Sequence, residues 1–265
     1  MMWSENKVLK KIAAGQVPYG FEIMLGSPRI VEMVGWAGFD YIQLDQEHTP
    51  FGLETIEDMV RAADATGLTS LVRVAQNNPK DISRALETGA HGVIVPQVTD
   101  AADVQKALDS VYYAPRGQRG MCPVTRGARY DDAVWEEYLA WVQKEVMFIP
   151  LIENASALES IDEICALPGV SVIGFGAGDL GQSLGVGAQG LAAPIVREAF
   201  AKVRETARRH NVVLKGMPVI GDDPAKAVRN LLDMGVGMVM YDADALLFSR
   251  ECRNIMNGIR SLSGG

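Results

Sequence analysis

Cysteine is scarce in this chain. Its 265 residues contain three, Cys122, Cys165 and Cys252, an odd number without paired spacing that gives neither a disulfide framework nor a zinc-ribbon pattern. They read as small buried apolar residues, and a cytoplasmic setting fits them. Long hydrophobic runs are also missing. A stretch such as Val146-Met147-Phe148-Ile149-Pro150-Leu151-Ile152 is far shorter than the roughly 20 apolar residues that span a bilayer, so no membrane partner is expected. Positive charge is in deficit: 25 Lys and Arg stand against 33 Asp and Glu, a net charge of −8. No basic face of the kind that binds nucleic acid shows in that balance. Residues 1–16 carry Lys7, Lys10 and Lys11 with no apolar segment after them, so a secretory signal is not expected. No Gly-x-Gly-x-x-Gly follows the first apolar run, which argues against a dinucleotide-binding open sheet.

What is present is a repeated unit, a short β-rich apolar run followed by a longer helical pattern. The predicted strands are Tyr19–Leu25, Phe39–Asp45, Thr69–Val74, His91–Pro96, Val146–Glu153, Val170–Phe175, Val212–Met217 and Gly237–Tyr241. Most are nearly continuous in apolar character, as parallel strands covered on both sides must be. Between them, Leu53–Thr66 places Ile56, Met59, Val60 and Ala63 on one face, and Pro79–Thr88 opens with Pro at a helix start. Eight such units in a chain of this length predict a (β/α)8 TIM barrel, one α/β domain over residues 1–265. The C-terminal helix, Asp244–Ile259, carries Leu246, Leu247, Ile255, Met256 and Ile259. That surface either closes the chain's own barrel or packs on a neighbouring subunit. The connection Gln97–Glu145 is unusually long, with a helix over Ala101–Ser110 and then Pro115-Arg116-Gly117-Gln118-Arg119-Gly120. Its Arg116, Arg119 and Arg126 either meet an acidic substrate or are solvated surface charges.

Barrel enzymes carry their sites at the C-terminal ends of the strands. There the sequence places Asp45-Gln46-Glu47-His48, Arg73, Glu153 and Gly176-Ala177-Gly178-Asp179, ionisable groups that are otherwise rare in these runs. Glu153 and Asp179 are the candidate metal pair. Two carboxylates at one mouth repel each other unless a cation sits between them, and Mg2+ takes one or two carboxylates and completes its shell with water and substrate oxygens. A 2-oxo acid offers two such oxygens. The alternative is a strand-end carboxylate paired to Arg73 or capping a helix. His48 is the candidate general base, with Asp45 or Glu47 fixing its tautomer. His91 and His210 have structural explanations, at a strand's start and a helix's end. Arg73 among Leu71, Val72 and Val74 needs an anion; a forming enolate and a structural carboxylate partner both qualify. The Gly176–Leu180 turn suits a carboxylate nest or a simple tight turn.

At these residues the chain resembles the HpcH/HpaI family of class II, metal-dependent pyruvate aldolases, those like 4-hydroxy-2-oxoheptanedioate aldolase. The likeness runs through Gly38-Phe39-Asp40, Asp45-Gln46-Glu47-His48, Leu71-Val72-Arg73-Val74, Ala85–Pro96, Gly117-Gln118-Arg119-Gly120, Ile152-Glu153-Asn154 and Gly176-Ala177-Gly178-Asp179-Leu180. It implies that Glu153 and Asp179 bind Mg2+, Mn2+ or Co2+ and that the metal chelates pyruvate or a close analogue such as hydroxypyruvate. Arg73 would stabilise the enolate, and His48, oriented by Asp45, would move the proton of the aldol hydroxyl. Backbone amides of Ala177, Gly178 and Asp179 would hold the substrate carboxylate. The reaction implied is reversible cleavage of a 4-hydroxy-2-oxo acid into a 2-oxo acid and an aldehyde, by a homo-oligomer (trimer or hexamer) with exchanged C-terminal helices. The chain departs from many relatives at Leu151, where they carry Gln, and at Gly176-Ala177-Gly178, where they often carry Gly-Pro-Ala.

Three other functions compete. A related metal-enolate lyase or oxaloacetate decarboxylase would share the chemistry and differ in the outer pocket. A Schiff-base aldolase would use Lys215 on the seventh strand, although no second lysine or acid is evident beside it in the sequence. A non-catalytic barrel would not need the set of ionisable strand ends.

Overall fold

The computed structural model describes residues 3–220 and 223–262. Eight strands among them close into a parallel barrel in sequence order: β1 Tyr19–Ile23, β2 Tyr41–Asp45, β3 Thr69–Arg73, β4 Gly92–Val95, β5 Met147–Ile152, β6 Val172–Phe175, β7 Val213–Gly216 and β8 Met238–Ala243. All eight coincide with apolar runs predicted from the sequence. β8 closes on β1 through pairs such as Tyr19 with Val239.

Alternation along each strand divides the core in two. Ile42, Leu44, Val72, Val93, Phe148, Ile173 and Val239 face outward and pack under the helices. Tyr41, Leu71, Ile94, Met147, Ile149, Leu151, Val172, Met238 and Met240 face inward and fill the barrel. The helix Lys7–Ala13, too short to stand out in the sequence, joins the inner cluster through Val8, which is fully buried. Asn6 starts that helix by accepting from the amides of Val8 and Leu9, an N-cap that satisfies donors the helix cannot. The lower end of the barrel is thereby plugged, and the site is left to the upper end.

The long connection holds two helices, Ala101–Val111 and Trp135–Glu145. The second carries Tyr138 and Trp141, stacked at 5.9 Å between ring centroids. The last helix, Asp244–Leu262, does not close its own barrel. Of its residues only Asp244 is buried, whereas Leu246, Leu247, Phe248, Ile255, Met256, Ile259 and Leu262 are exposed. Asp244 ties the helix to the upper end of β1 by accepting from the amides of Met24 (2.8 Å) and Leu25 (3.1 Å).

Candidate active site

Arg73, the last residue of β3, organises the upper mouth. Its Nε donates to Asp45 Oδ1 at 2.8 Å, Nη2 lies 3.2 Å from Glu22 Oε1, and Nη1 lies 3.3 Å from Glu47 Oε2. The guanidinium thus reaches three carboxylates from β1, β2 and the loop after β2. Burial works against its charge, but the bond to Asp45 and the charges of Glu22, Asp45 and Glu47 outweigh that and hold its pKa above the ordinary value. Of the alternatives left open for Arg73, the structural carboxylate partner is met. The Arg73 side chain also lines the cavity at the mouth.

Asp45 is fully buried. Besides Arg73, it accepts from the main-chain N–H groups of Glu47 (3.0 Å) and His48 (3.3 Å). Asp45 therefore fixes the backbone of the His48 loop. The carboxylate beside the imidazole is that of Glu47, with Oε2 3.6 Å from Nε2. The ring is more than half exposed.

Glu153 stands just past β5 and is 3% exposed. Its Oε1 accepts from the amide of Gln97 at 2.7 Å. Gln97 adopts a left-handed backbone, φ 54°, a conformation uncommon outside glycine, which aims that N–H across the top of β4. Burial, together with the charges of Glu47 and Asp179, raises the Glu153 pKa to about 7 against the opposing Gln97 bond. Burial also raises Glu47, against the pull of Arg73. Gly176 follows β6 and abuts Glu153: a Cβ there would lie 2.8 Å from Glu153 Oε2. Asp179 lies in the first turn of the helix Ala177–Ser183. The first intrahelical bond there runs from Leu180 N–H to Gly176 O at 3.0 Å, so the amides of Ala177, Gly178 and Asp179 precede it.

Among the described residues, no group of three or more His, Cys, Asp or Glu side chains is arranged to hold a metal ion. The expected donors are two carboxylates, the number a hard cation uses when water and substrate complete its shell. Glu153, its pKa raised first by burial and then by the charges of Glu47 and Asp179, fits such a cation, because positive charge beside the carboxylate would offset both.

Arg73, Glu153 and the Gly176–Asp179 turn line one cavity of about 620 Å³. Its lower part is more polar than the strand-end residues foretold. Glu22 on β1, Gln43 on β2 and Lys215 on β7 all face into it and are buried. Gln43 Nε2 donates to Glu22 Oε1 at 2.6 Å. Burial raises the Glu22 pKa against the opposing charges of Arg73 and Lys215. Burial lowers the Lys215 pKa to about 8. The expectation that no acid accompanies Lys215 is corrected, since Glu22 shares its cavity and its field. Strand parity was the signal: Gln43 precedes Asp45 by two residues and so faces the same way.

In the arginine-rich connection the surface reading holds for the exposed Arg116 and not for the buried Arg119. Arg116 stacks on Tyr112, 3.4 Å from the ring centroid, and borders the starts of β5 and β6. Arg119 is buried against Tyr113. Arg126 bonds to Thr88 O and Asp64, in a recess it shares with His91 at the start of β4. All three serve the lower end or the helical layer, away from the mouth, because the long connection runs back down the barrel before β5 begins.

The comparisons agree with this architecture. The family model described as HpcH/HpaI aldolase/citrate lyase matches residues 21–251. A 2-dehydro-3,6-dideoxy-6-sulfogluconate aldolase of Pseudomonas putida is 31% identical over 92% of this chain and 92% of its own length. A 5-keto-4-deoxy-D-glucarate aldolase of Klebsiella pneumoniae is 28% identical over 96% of this chain and 97% of its own. The crystal structure of an HpcH/HpaI aldolase from Desulfitobacterium hafniense DCB-2 superposes with a TM-score of 0.84 at 28% identity, covering 97% of both chains. The chain belongs to the HpcH/HpaI aldolase/citrate lyase family and is a carbon–carbon lyase.

Proposed function

We propose that this lyase reversibly cleaves a 4-hydroxy-2-oxo acid into pyruvate, or a close analogue, and an aldehyde, with a divalent cation held by Glu153 and Asp179. The observation that carries the reading is the pairing of opposite demands in one cavity. Burial, and after it the charges of Glu47 and Asp179, raises Glu153 to about 7, while Arg73 in the same cavity is a fixed cation. When bound, Mg2+, Mn2+ or Co2+ would supply Lewis-acid chemistry, drawing charge toward the keto oxygen.

The chain's own residues then divide the work. Ala177, Gly178 and Asp179 present main-chain amides to the substrate carboxylate. Arg73 offers positive charge to the oxygen that becomes an oxyanion as the C3–C4 bond breaks, an interaction worth roughly 3–4 kcal/mol at comparable sites. His48 takes the proton from the C4 hydroxyl during cleavage and returns it during synthesis. Glu47 Oε2 lies 3.6 Å from Nε2, and Asp45 holds the loop through the His48 amide.

The deciding experiment is removal of the cation. Dialysis against EDTA abolishes pyruvate release from a 4-hydroxy-2-oxo acid, and Mg2+, Mn2+ or Co2+ restores it. Release that survives dialysis, with metal content verified by mass spectrometry, overturns the proposal.

A further inference from the structure

Glu22 is a carboxylate inside the barrel to which the proposed chemistry gives no task. It is 6% exposed and lies on β1 beside Gln43, its register partner on β2. Leu71, Leu151 and Met240 supply inward-facing side chains from β3, β5 and β8. A carboxylate costs free energy in such surroundings, and apolar side chains of similar volume often serve a fold as well as a buried ion pair does. Two donors meet on one of its oxygens. Gln43 Nε2 donates to Glu22 Oε1 at 2.6 Å, and Arg73 Nη2 donates to the same atom at 3.2 Å. Gln43 thus holds Glu22, and Glu22 holds one arm of Arg73.

The direction of that hold matters. The other two partners of the guanidinium, Asp45 and Glu47, belong to the end of β2 and the loop after it. Among the described residues, Glu22 is the carboxylate that bonds Arg73 from β1. It stands level with Gln43, two residues below Asp45 on the neighbouring strand. A planar guanidinium bonded along one edge still turns about its side-chain torsions, and a second bonded edge fixes its plane. Arg73 and Glu22 line the same cavity, so that plane decides which N–H groups face its contents. We propose that Glu22 is a positioning residue for Arg73: by holding Nη2 from the barrel floor, it sets the tilt at which the guanidinium meets the oxygen that becomes an oxyanion. Gln43 supports it by fixing the Glu22 carboxylate. This rests on the aldolase reading above and adds to it a residue that acts through Arg73.

Exchange of the C3 protons of pyruvate in D2O reads enolate formation without any aldehyde. It is followed by proton NMR with Mg2+ present, and the enzyme-free rate is subtracted. In Glu22→Ala, kcat for exchange falls by about tenfold or more, the scale on which a misplaced group loses rate. KM stays within about threefold, because the interaction with Arg73 belongs to the transition state. Glu22→Gln keeps an oxygen for both donors and stays within about threefold of the wild type in kcat. In an Arg73→Lys background, where the planar fork is already lost, adding Glu22→Ala costs less than about threefold more, since residues that act as one unit are not additive. Each variant is checked for folding by thermal melt. Should Glu22→Ala not fold, Gln43→Leu carries the test: it frees Glu22 while keeping its carboxylate, and kcat falls by about threefold or more. An unchanged kcat in folded Glu22→Ala overturns the proposal and leaves the aldolase reading standing. So does a full loss in the Arg73→Lys background, or a Glu22→Gln as slow as Glu22→Ala. A wild type that exchanges no pyruvate protons ends the aldolase reading itself.

Discussion

Arg73 Nε and Asp45 Oδ1 meet at 2.8 Å, with the carboxylate fully buried and the guanidinium nearly so. The pair joins the end of β3 to the end of β2, where the two residues are also register partners. Lysine cannot replace this arginine, since one ammonium cannot reach Asp45, Glu22 and Glu47 from a fixed planar fork. Arg73→Lys is expected to lower kcat/KM for cleavage by about 100-fold or more and to destabilise the fold by roughly 2–4 kcal/mol, because buried carboxylates lose hydrogen-bonded charge partners. Steady-state kinetics and denaturant melts check both numbers. Wild-type activity in the folded variant would remove Arg73 from the chemistry.

Cation binding is expected to release a proton. The Glu153 pKa is raised to about 7 in the folded chain. Between the ordinary carboxylate range and that value, the folded protein holds a proton that the unfolded chain gives up. The stability this contributes is present below the unfolded pKa and is lost as pH rises through about 7. A cation needs the carboxylate ionised. Its apparent affinity is therefore expected to rise with pH, by up to about tenfold per pH unit below 7, and to level off above. Calorimetric titration of Mg2+ or Mn2+ in buffers of different ionisation enthalpy measures the proton directly. Affinity that stays flat from about pH 5.5 to 8 argues that Glu153 is not a ligand.

The barrel was legible in the sequence because parallel strands buried on both faces must be apolar throughout, and each of the eight runs became a strand. The same purity exposed Asp45, Arg73, Glu153 and Asp179, ionisable groups at the ends of such runs. Glu22 and Gln43 were harder to see. They lie within strands; parity with Asp45 turns Gln43 inward, but only the β1–β2 register sets Glu22 beside it. Lys215 was visible, but Glu22 lies near the opposite end of the chain, and only closure of β8 on β1 brings the two into one cavity. The Arg116–Arg126 segment was left open between two readings for a related reason. Length and charge mark a loop as unusual without saying to which end of the barrel it returns.

The last helix gives the remaining prediction. Seven of its apolar side chains, from Leu246 to Leu262, are exposed, and burying each would contribute roughly 1.5–3 kcal/mol when complete. Phe248, Ile255, Ile259 and Leu262 fall on one side of the helix at helical spacing, and an exposed apolar face of this kind marks an association surface. The family resemblance points to a second copy of the chain as its partner. Phe248 and Ile255 are exposed within that face. Phe248→Asp combined with Ile255→Glu removes apolar area and places like charges into a symmetric contact. The double variant is expected to run as a monomer in light-scattering chromatography where the wild type runs as a trimer or hexamer. Because neither side chain packs in the barrel core, the monomer's far-ultraviolet circular dichroism should match the wild type. A monomeric wild type at micromolar concentration would defeat this reading of the helix, and a variant that assembles normally would move the interface elsewhere.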